Sequence, residues 1–472
     1  MYSRFVKHIS FPFYQWKQGS DYLERLKAFE QSQWWPPERL REMQWQRLRK
    51  IMDHAYRNVP YYKEIFADMQ ASPEDIRSFD DFARIPTLTK QTLQSRLDDL
   101  IATNVPRANL HRGVTSGSSG LPAYYVQDLD GNRIRKAAGR RLMKMAGYDI
   151  GLKIFYFWRA SPYTILGEKV VSTAEEITTA PSSLVRLKRA VYERFGVDNP
   201  TLRLDPTMLN ESQMLAVYRQ LQRFRPRMIV SYVSALYRLA QFLESENLLE
   251  VRPRSVVTSS ETLHQHQRSL IEKVFQCPVY NRYGLQETGM VGIECGERKG
   301  LHYNQEILHV EYVSRASESR QLVITDLINM GMPLLRYETG DSAQPVEGIC
   351  ACGRGLERIG EIEGRIIELL PTRLGGHVNG QLFATFHWIK GIRQYQVIQT
   401  KIDAFKIRIA SEESFRESDL TPMLDTIREK FGRDVEIEID HVDNISFTEG
   451  GKYKLVVSEV NKTRQENLRS TS

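Results

Sequence analysis

The sequence predicts an α/β protein in two parts: a large N-terminal domain, residues 1–364, of mixed, largely parallel sheets with flanking helices, and a small α+β domain, residues 365–472. Three observations carry that reading. Between residues 213 and 280, amphipathic helical segments alternate with short apolar runs, as in parallel strands joined through helices. From Arg365 onward the pattern changes to short strands around one helical stretch, residues 420–431. With 472 residues, 41% of them apolar, the chain can fill a core in each part.

Taken in order, residues 1–30 carry Phe5, Phe11, Phe13, Tyr14 and Trp16 among charges, and are expected to pack as an arm on the body. After Pro37, the apolar residues Leu40, Met43, Leu48, Ile51, Met52 and Ala55 recur mostly every three to four positions, a helix lying on a core. It should end at Asn58-Val59-Pro60, because proline pushes the residue before it out of the helical region. Residues 132–145 form a helix that carries Arg133, Arg135, Lys136, Arg140, Arg141 and Lys144, read as a solvated basic face. A buried strand is expected at 151–158, followed by an irregular stretch at 172–199. Helices at 213–224, 235–243 and 263–275 then alternate with strands at 227–230, 255–258 and 278–280, whose ends become the ligand rim. Residues 300–341 read mostly as strands, and the last part adds strands at 395–399, 405–409 and 435–439.

The formal charge of +7 comes from 65 basic against 58 acidic residues, well mixed. With neither zinc-finger spacing nor a basic block interleaved with aromatics, nucleic acid is not an expected partner. Residues 1–20 lack an apolar core and cleavage site for export, and the most apolar run, 228–243, is interrupted by Arg238 and Gln241 and too short to span a bilayer. A cytoplasmic chain without membrane insertion is therefore expected, its four cysteines too few for a disulfide framework.

Chemistry gathers first at Arg112-Gly113-Val114-Thr115-Ser116-Gly117-Ser118-Ser119-Gly120-Leu121-Pro122. Small residues let a backbone turn its N–H groups toward an anion, and the hydroxyls add donors. No Lys-Ser or Lys-Thr pair follows Gly120, so this is not a Walker A loop, and taken alone it serves equally as a flexible linker. Tyr283-Gly284-Leu285-Gln286-Glu287 follows a short strand, and Arg336-Tyr337-Glu338-Thr339-Gly340-Asp341 follows another. Gly364-Arg365 sits at the change of pattern, and Gly450-Gly451-Lys452 lies near the end.

In that order the motifs resemble the adenylate-forming ligase superfamily over residues 38–460. His54-Ala55-Tyr56-Arg57-Asn58-Val59-Pro60-Tyr61-Tyr62, Ser259-Ser260-Glu261 and residues 391–399 are similar to its phenylacetate-CoA ligase and CapK-like branch. The resemblance implies ATP and Mg2+ as cofactors. Thr115, Ser116, Gly117, Ser118, Ser119 and Gly120 would hold the departing phosphates, and Glu287 would help coordinate Mg2+. Tyr283, with Gly284, would lie on adenine opposite Ser259, Ser260 and Glu261, and Asp341 would accept the ribose hydroxyls. Arg365 would contact the nucleotide from a hinge near Gly364-Arg365. Lys452 would reach carboxylate and α-phosphate when a mobile small domain closes.

This chain departs from that pattern in places. Gln286 stands where the superfamily usually has threonine, leaving Gln286 or Thr288 to supply the α-phosphate contact; Ile366, Ile367 and Glu368 replace an aspartate pair at the hinge; Ala123 replaces a lysine. A second constellation joins Cys295, His302, Cys350 and Cys352, which would form a closed, structural zinc shell. Unrelated reduced cysteines are the plain alternative, and Cys277 is one such residue.

The implied activity is conversion of a carboxylic acid to an acyl-adenylate, and its transfer to coenzyme A or to an amine as in CapK-like surface polysaccharide synthesis. An inactive nucleotide-binding scaffold is the reading from another class. The acid pocket is expected around Tyr232, Val233, Ser234 and residues 155–158. Oligomeric state is left open, a homodimer being one option.

Overall fold

The computed structural model describes residues 2–114, 124–158, 199–204, 206, 211–314, 320–362, 369–373, 377–380, 383, 386, 389, 391–445 and 454–460. Its centre is a nine-stranded sheet. From one edge the order is Pro345–Val346, Arg358–Ile359, Leu301–Tyr303, Gly289–Glu294, Val279–Leu285, Ser255–Ser259, Met228–Tyr232, Ile154–Phe157 and Thr201–Leu204. The last five run parallel and the first four pair antiparallel.

The alternation in sequence follows from the two covered faces of the parallel half. Ile229, Val256 and Val279 pack under the helices Glu211–Phe224, Val233–Ser245 and Gln265–Phe275, through Leu221, Leu236 and Phe275. Met228, Val230 and Val257 face the other way, against Leu142 and Met143 of the helix Leu129–Met145. The apolar run at 228–243 is thus a buried strand leading into a buried helix. Among the described residues no helix is long and apolar enough to cross a membrane.

The helix Pro37–Asn58 buries Leu40, Leu48, Ile51, Met52 and Ala55, as their spacing requires. Pro60 ends it and also begins the helix Pro60–Asp68, since a proline without N–H fits the first helical position. The N-terminal arm is helical and packs on the body through Val6, Phe11, Tyr22, Leu26 and Phe29.

The helix at 132–145 departs from expectation. It starts at Leu129 behind the Asp128 cap, whose side chain accepts the Gly131 N–H at 2.7 Å, and only part of its basic face is solvated. Arg135 pairs with Asp326 at 2.5 Å and Arg141 with Glu306 at 2.7 Å, all four residues buried. The Arg140 guanidinium lies over the rings of Phe11, Tyr22 and Tyr148. A charged helix face meets the protein here because distant acids neutralise it.

A three-stranded sheet, Leu308–Ser314, Arg320–Asp326 and Tyr337–Ser342, carries the motif ending in Asp341. The C-terminal part has its own core. The order Glu436–His441, Ala404–Ser411, Ile392–Lys401, Val456–Ser458 forms one sheet, and Phe405, Ile407, Met423, Ile427 and Phe431 pack between it and the helix Thr421–Phe431. Among the described residues, none before Leu370 belongs to that cluster. The proposed hinge residues Gly364, Arg365 and Glu368 lie outside the described residues.

Candidate active site

The Gly/Ser stretch joins two paired strands, Leu110–Val114 and Tyr124–Asp128, with Val114 opposite Tyr124. Thr115, Ser116, Gly117, Ser118, Ser119, Gly120 and Ala123 themselves lie outside the described residues, as do Arg365 and Lys452. The strand leaving that stretch is fastened to the next motif. Gln127 Nε2 donates to the backbone oxygen of Glu287 at 2.7 Å and of Gln286 at 3.3 Å. Asn329 Nδ2 donates to the Val126 carbonyl at 2.8 Å, and Asp128 accepts the Met330 N–H at 2.9 Å.

Tyr283 and Gly284 do not follow a short strand, as expected, but lie inside the strand Val279–Leu285. Pairing with Gly289–Glu294 extends it, with a register shift at Tyr283/Gly284. A Cβ on Gly284 would stand 3.0 Å from the Gly289 carbonyl oxygen, so the close approach admits no side chain without adjustment. The turn that follows exposes Gln286, while Glu287 is 6% exposed and Thr288 fully buried. The Thr288 hydroxyl has no hydrogen-bond partner among the described residues. Of the two residues offered for the missing threonine contact, Gln286 is the open one.

Two tyrosine hydroxyls knit the motifs together. Tyr283 donates to Asp341 Oδ2 at 2.6 Å, and Tyr337 donates to Glu287 Oε1 at 2.8 Å. The acceptor expected for ribose and the carboxylate expected for metal are thereby each fixed by the other's motif. The segment bearing Tyr337 is braced in turn: Arg336, at a left-handed φ of +51°, pairs with Glu311 at 3.0 Å, and its N–H meets Thr325 Oγ1 at 2.8 Å. Such strain persists only where surroundings impose it.

Ser259 ends its strand nearly buried, and Ser260 is exposed at φ +73°. Glu261 has a task not foreseen: it accepts Ser234 N–H at 2.6 Å and Ser234 Oγ at 2.9 Å, at the start of the helix Val233–Ser245. A carboxylate there suits the positive end of the helix dipole. Sequence reading also missed Gln127 and Tyr337 as partners of Glu287. Tyr337 lies within the motif that ends in Asp341, but nothing along the chain pairs it with a residue fifty positions earlier.

Cys295, His302, Cys350 and Cys352 converge, their ligand atoms all within 4.8 Å of one another. The sulfurs of Cys295 and Cys350 are 3.7 Å apart, and Cys352 Sγ is 3.3 Å from His302 Nε2. Zinc–sulfur bonds of about 2.3 Å at tetrahedral angles give a sulfur–sulfur edge near 3.8 Å, so the donor set fits zinc. His302 Nδ1 faces the Leu356 carbonyl at 3.0 Å, leaving Nε2 for a metal. Burial pulls the His302 imidazole down to about 4 and pushes the Cys295 thiol up to about 12. Burial also opposes ionisation of Cys352, yet the Arg354 N–H and the neighbouring thiols bring it below its usual value. Cys277 is buried apart from the group.

Residues 370–459 match the family model of the CapK C-terminal domain. Protein CapK of Staphylococcus aureus is 22% identical, covering 89% of each chain. Phenylacetate-coenzyme A ligase of Thermus thermophilus is 26% identical over 81% of this chain and 84% of its own length. Among solved structures, 2-hydroxyisobutyryl-CoA ligase in a postadenylation state with R3-HIB-AMP aligns with a TM-score of 0.66 at 18% identity, covering 92% of this chain and 93% of that one. The relatives of this chain are thus CapK and phenylacetate-CoA ligases, and its fold is that of the adenylate-forming CoA ligases.

Proposed function

We propose that this protein is an AMP-forming ligase that activates a carboxylic acid with ATP and Mg2+ to an acyl-adenylate and passes the acyl group to a thiol, coenzyme A first. The observation that supports it is the paired clasp of Tyr283 with Asp341 and Tyr337 with Glu287 beside the strand leaving the Gly/Ser stretch. Attack of a carboxylate on the α-phosphate brings two anions together, so charge neutralisation and positioning dominate the barrier. Glu287 would hold Mg2+, and Asp341 would orient the ribose. Residues 115–120 would grip the departing pyrophosphate. Lys452 would enter from the small domain to join carboxylate and phosphate, and Arg365 would contact the ribose or its phosphate from the hinge side. Mg2+, when bound, offsets phosphate charge.

A second reading, which rests on the CapK-like resemblance of the sequence, passes the acyl group to an amine, as in surface polysaccharide synthesis. Acid-dependent ATP–pyrophosphate exchange, followed by product release with and without coenzyme A, separates the readings. Exchange is expected with some members of a carboxylic acid panel. ATP binding without exchange across that panel would leave the inactive scaffold instead.

The cysteine–histidine group is read as a structural zinc site, closed by four protein ligands. Purified protein should contain about one zinc per chain. Stripping it with a chelator should lower the melting temperature by several degrees and leave the stability of a Cys352→Ser variant nearly unmoved by chelator. Full-length protein that is metal-free and equally heat-stable would show the group to be reduced cysteines only.

A further inference from the structure

The rim of the large sheet carries a charge that the nucleotide chemistry leaves unused. In the parallel register Phe157 stands opposite Ser231, Tyr232 opposite Ser259, and Ser259 opposite Arg282. Trp158, Tyr232, Ser259 and Arg282 therefore form one row across four neighbouring strands, at or just past the carboxyl ends of the first three and midway along Val279–Leu285. Trp158 and Tyr232 stack with ring centroids 4.0 Å apart and planes 21° from parallel. Serine at the third place leaves room above itself, and Arg282 reaches over it until its guanidinium carbon is 5.6 Å from the Trp158 ring centre.

Arg282 is half-buried, and among the described residues its guanidinium has no hydrogen-bond or ion-pair partner. Burial pulls its pKa down, and only Tyr156 opposes the effect. Elsewhere the chain gives its well-buried guanidiniums a partner: Arg135 has Asp326, Arg141 has Glu306, Arg268 has Glu294, Arg336 has Glu311, and Arg358 has the backbone carbonyls of Lys299, Glu347 and Gly348. A poorly solvated cation without a counter-ion is costly, and such a group in a ligand rim is explained when the ligand supplies the anion.

We infer that Arg282 selects the acid: the substrate carries, besides the carboxyl that is activated, a second carboxylate that this guanidinium takes in a forked contact, with the intervening carbons against Trp158. This rests on the ligase reading above and adds to it a substrate class, the dicarboxylic acids. The second carboxylate is meant, not the reacting one, because successive residues of a strand point to opposite faces. Tyr283, which meets Asp341, faces the nucleotide side, so Arg282 faces away from it. A planar, always-charged fork also suits a carboxylate that is to be held rather than to attack.

The test measures equilibrium binding of three acid pairs to the full-length protein without ATP: adipate against hexanoate, terephthalate against benzoate, and 4-carboxyphenylacetate against phenylacetate. At least one diacid should bind roughly tenfold or more tightly than its monoacid. Arg282→Met, which keeps an unbranched stem over Trp158, should erase the preference, and Arg282→Lys should restore part of it. No diacid preference in any pair, or a preference that survives Arg282→Met, overturns the assignment. The same acids are then offered with ATP and hydroxylamine. A diacid that binds through Arg282 yet yields no hydroxamate counts against the ligase reading and leaves the Arg282 site standing.

Discussion

Glu287→Gln should lower acid-dependent ATP–pyrophosphate exchange by roughly 10²–10³-fold, the usual effect of removing one group that stabilises charge in a transition state. Glutamine keeps an oxygen for the Tyr337 hydroxyl, now 2.8 Å from Glu287 Oε1, and the backbone carbonyl that Gln127 holds is untouched. What is lost is the negative charge that would bind Mg2+ between phosphate oxygens. Raising Mg2+ should therefore recover part of the rate, and thermal melting should stay near the wild-type value. Full exchange activity in Glu287→Gln at ordinary Mg2+ would remove Glu287 from the metal site.

Arg141→Met should destabilise the large domain by about 3–5 kcal/mol, the range for leaving one partner of a buried ion pair alone. Arg141 and Glu306 are each 1% exposed and 2.7 Å apart, and Ser32 Oγ donates to the same carboxylate at 2.7 Å. Methionine nearly fills the volume but leaves the carboxylate with one neutral donor. Adding Glu306→Gln should restore much of the loss, because the cost is the stranded charge more than the missing attraction. Urea unfolding of both variants checks this, provided the slope of the transition is unchanged. Equal loss in the single and the double variant would mean that packing, not charge, holds this point.

What could be read along the chain was whatever leaves a local trace. The parallel half of the sheet was legible because both of its faces are covered, which makes Met228–Tyr232 and Ser255–Ser259 buried at every position. The motifs were legible because glycine, hydroxyl and carboxylate occur in a set order. The antiparallel extension was not, since Leu301–Tyr303 and Arg358–Ile359 are too short to show a period. Nor was the burial of Arg135 and Arg141. A basic helix face has the same spelling whether water or acid neutralises it, and the acids lie 191 and 165 residues onward. Arg282 went unremarked for a related reason: only the cross-strand register sets it in line with Trp158.

The double clasp by Gln127 has a mechanical consequence. Because one amide grips the carbonyls of Gln286 and Glu287, and the next residue is pinned by Asn329, the frame around the Glu287 carboxylate behaves as a single casting. The distance from that carboxylate to the root of the Tyr124–Asp128 strand cannot change without breaking several bonds at once. On the ligase reading, adjustment to substrates of different length would then fall to parts of the protein outside this frame, with the segment that carries Glu287 as its fixed side.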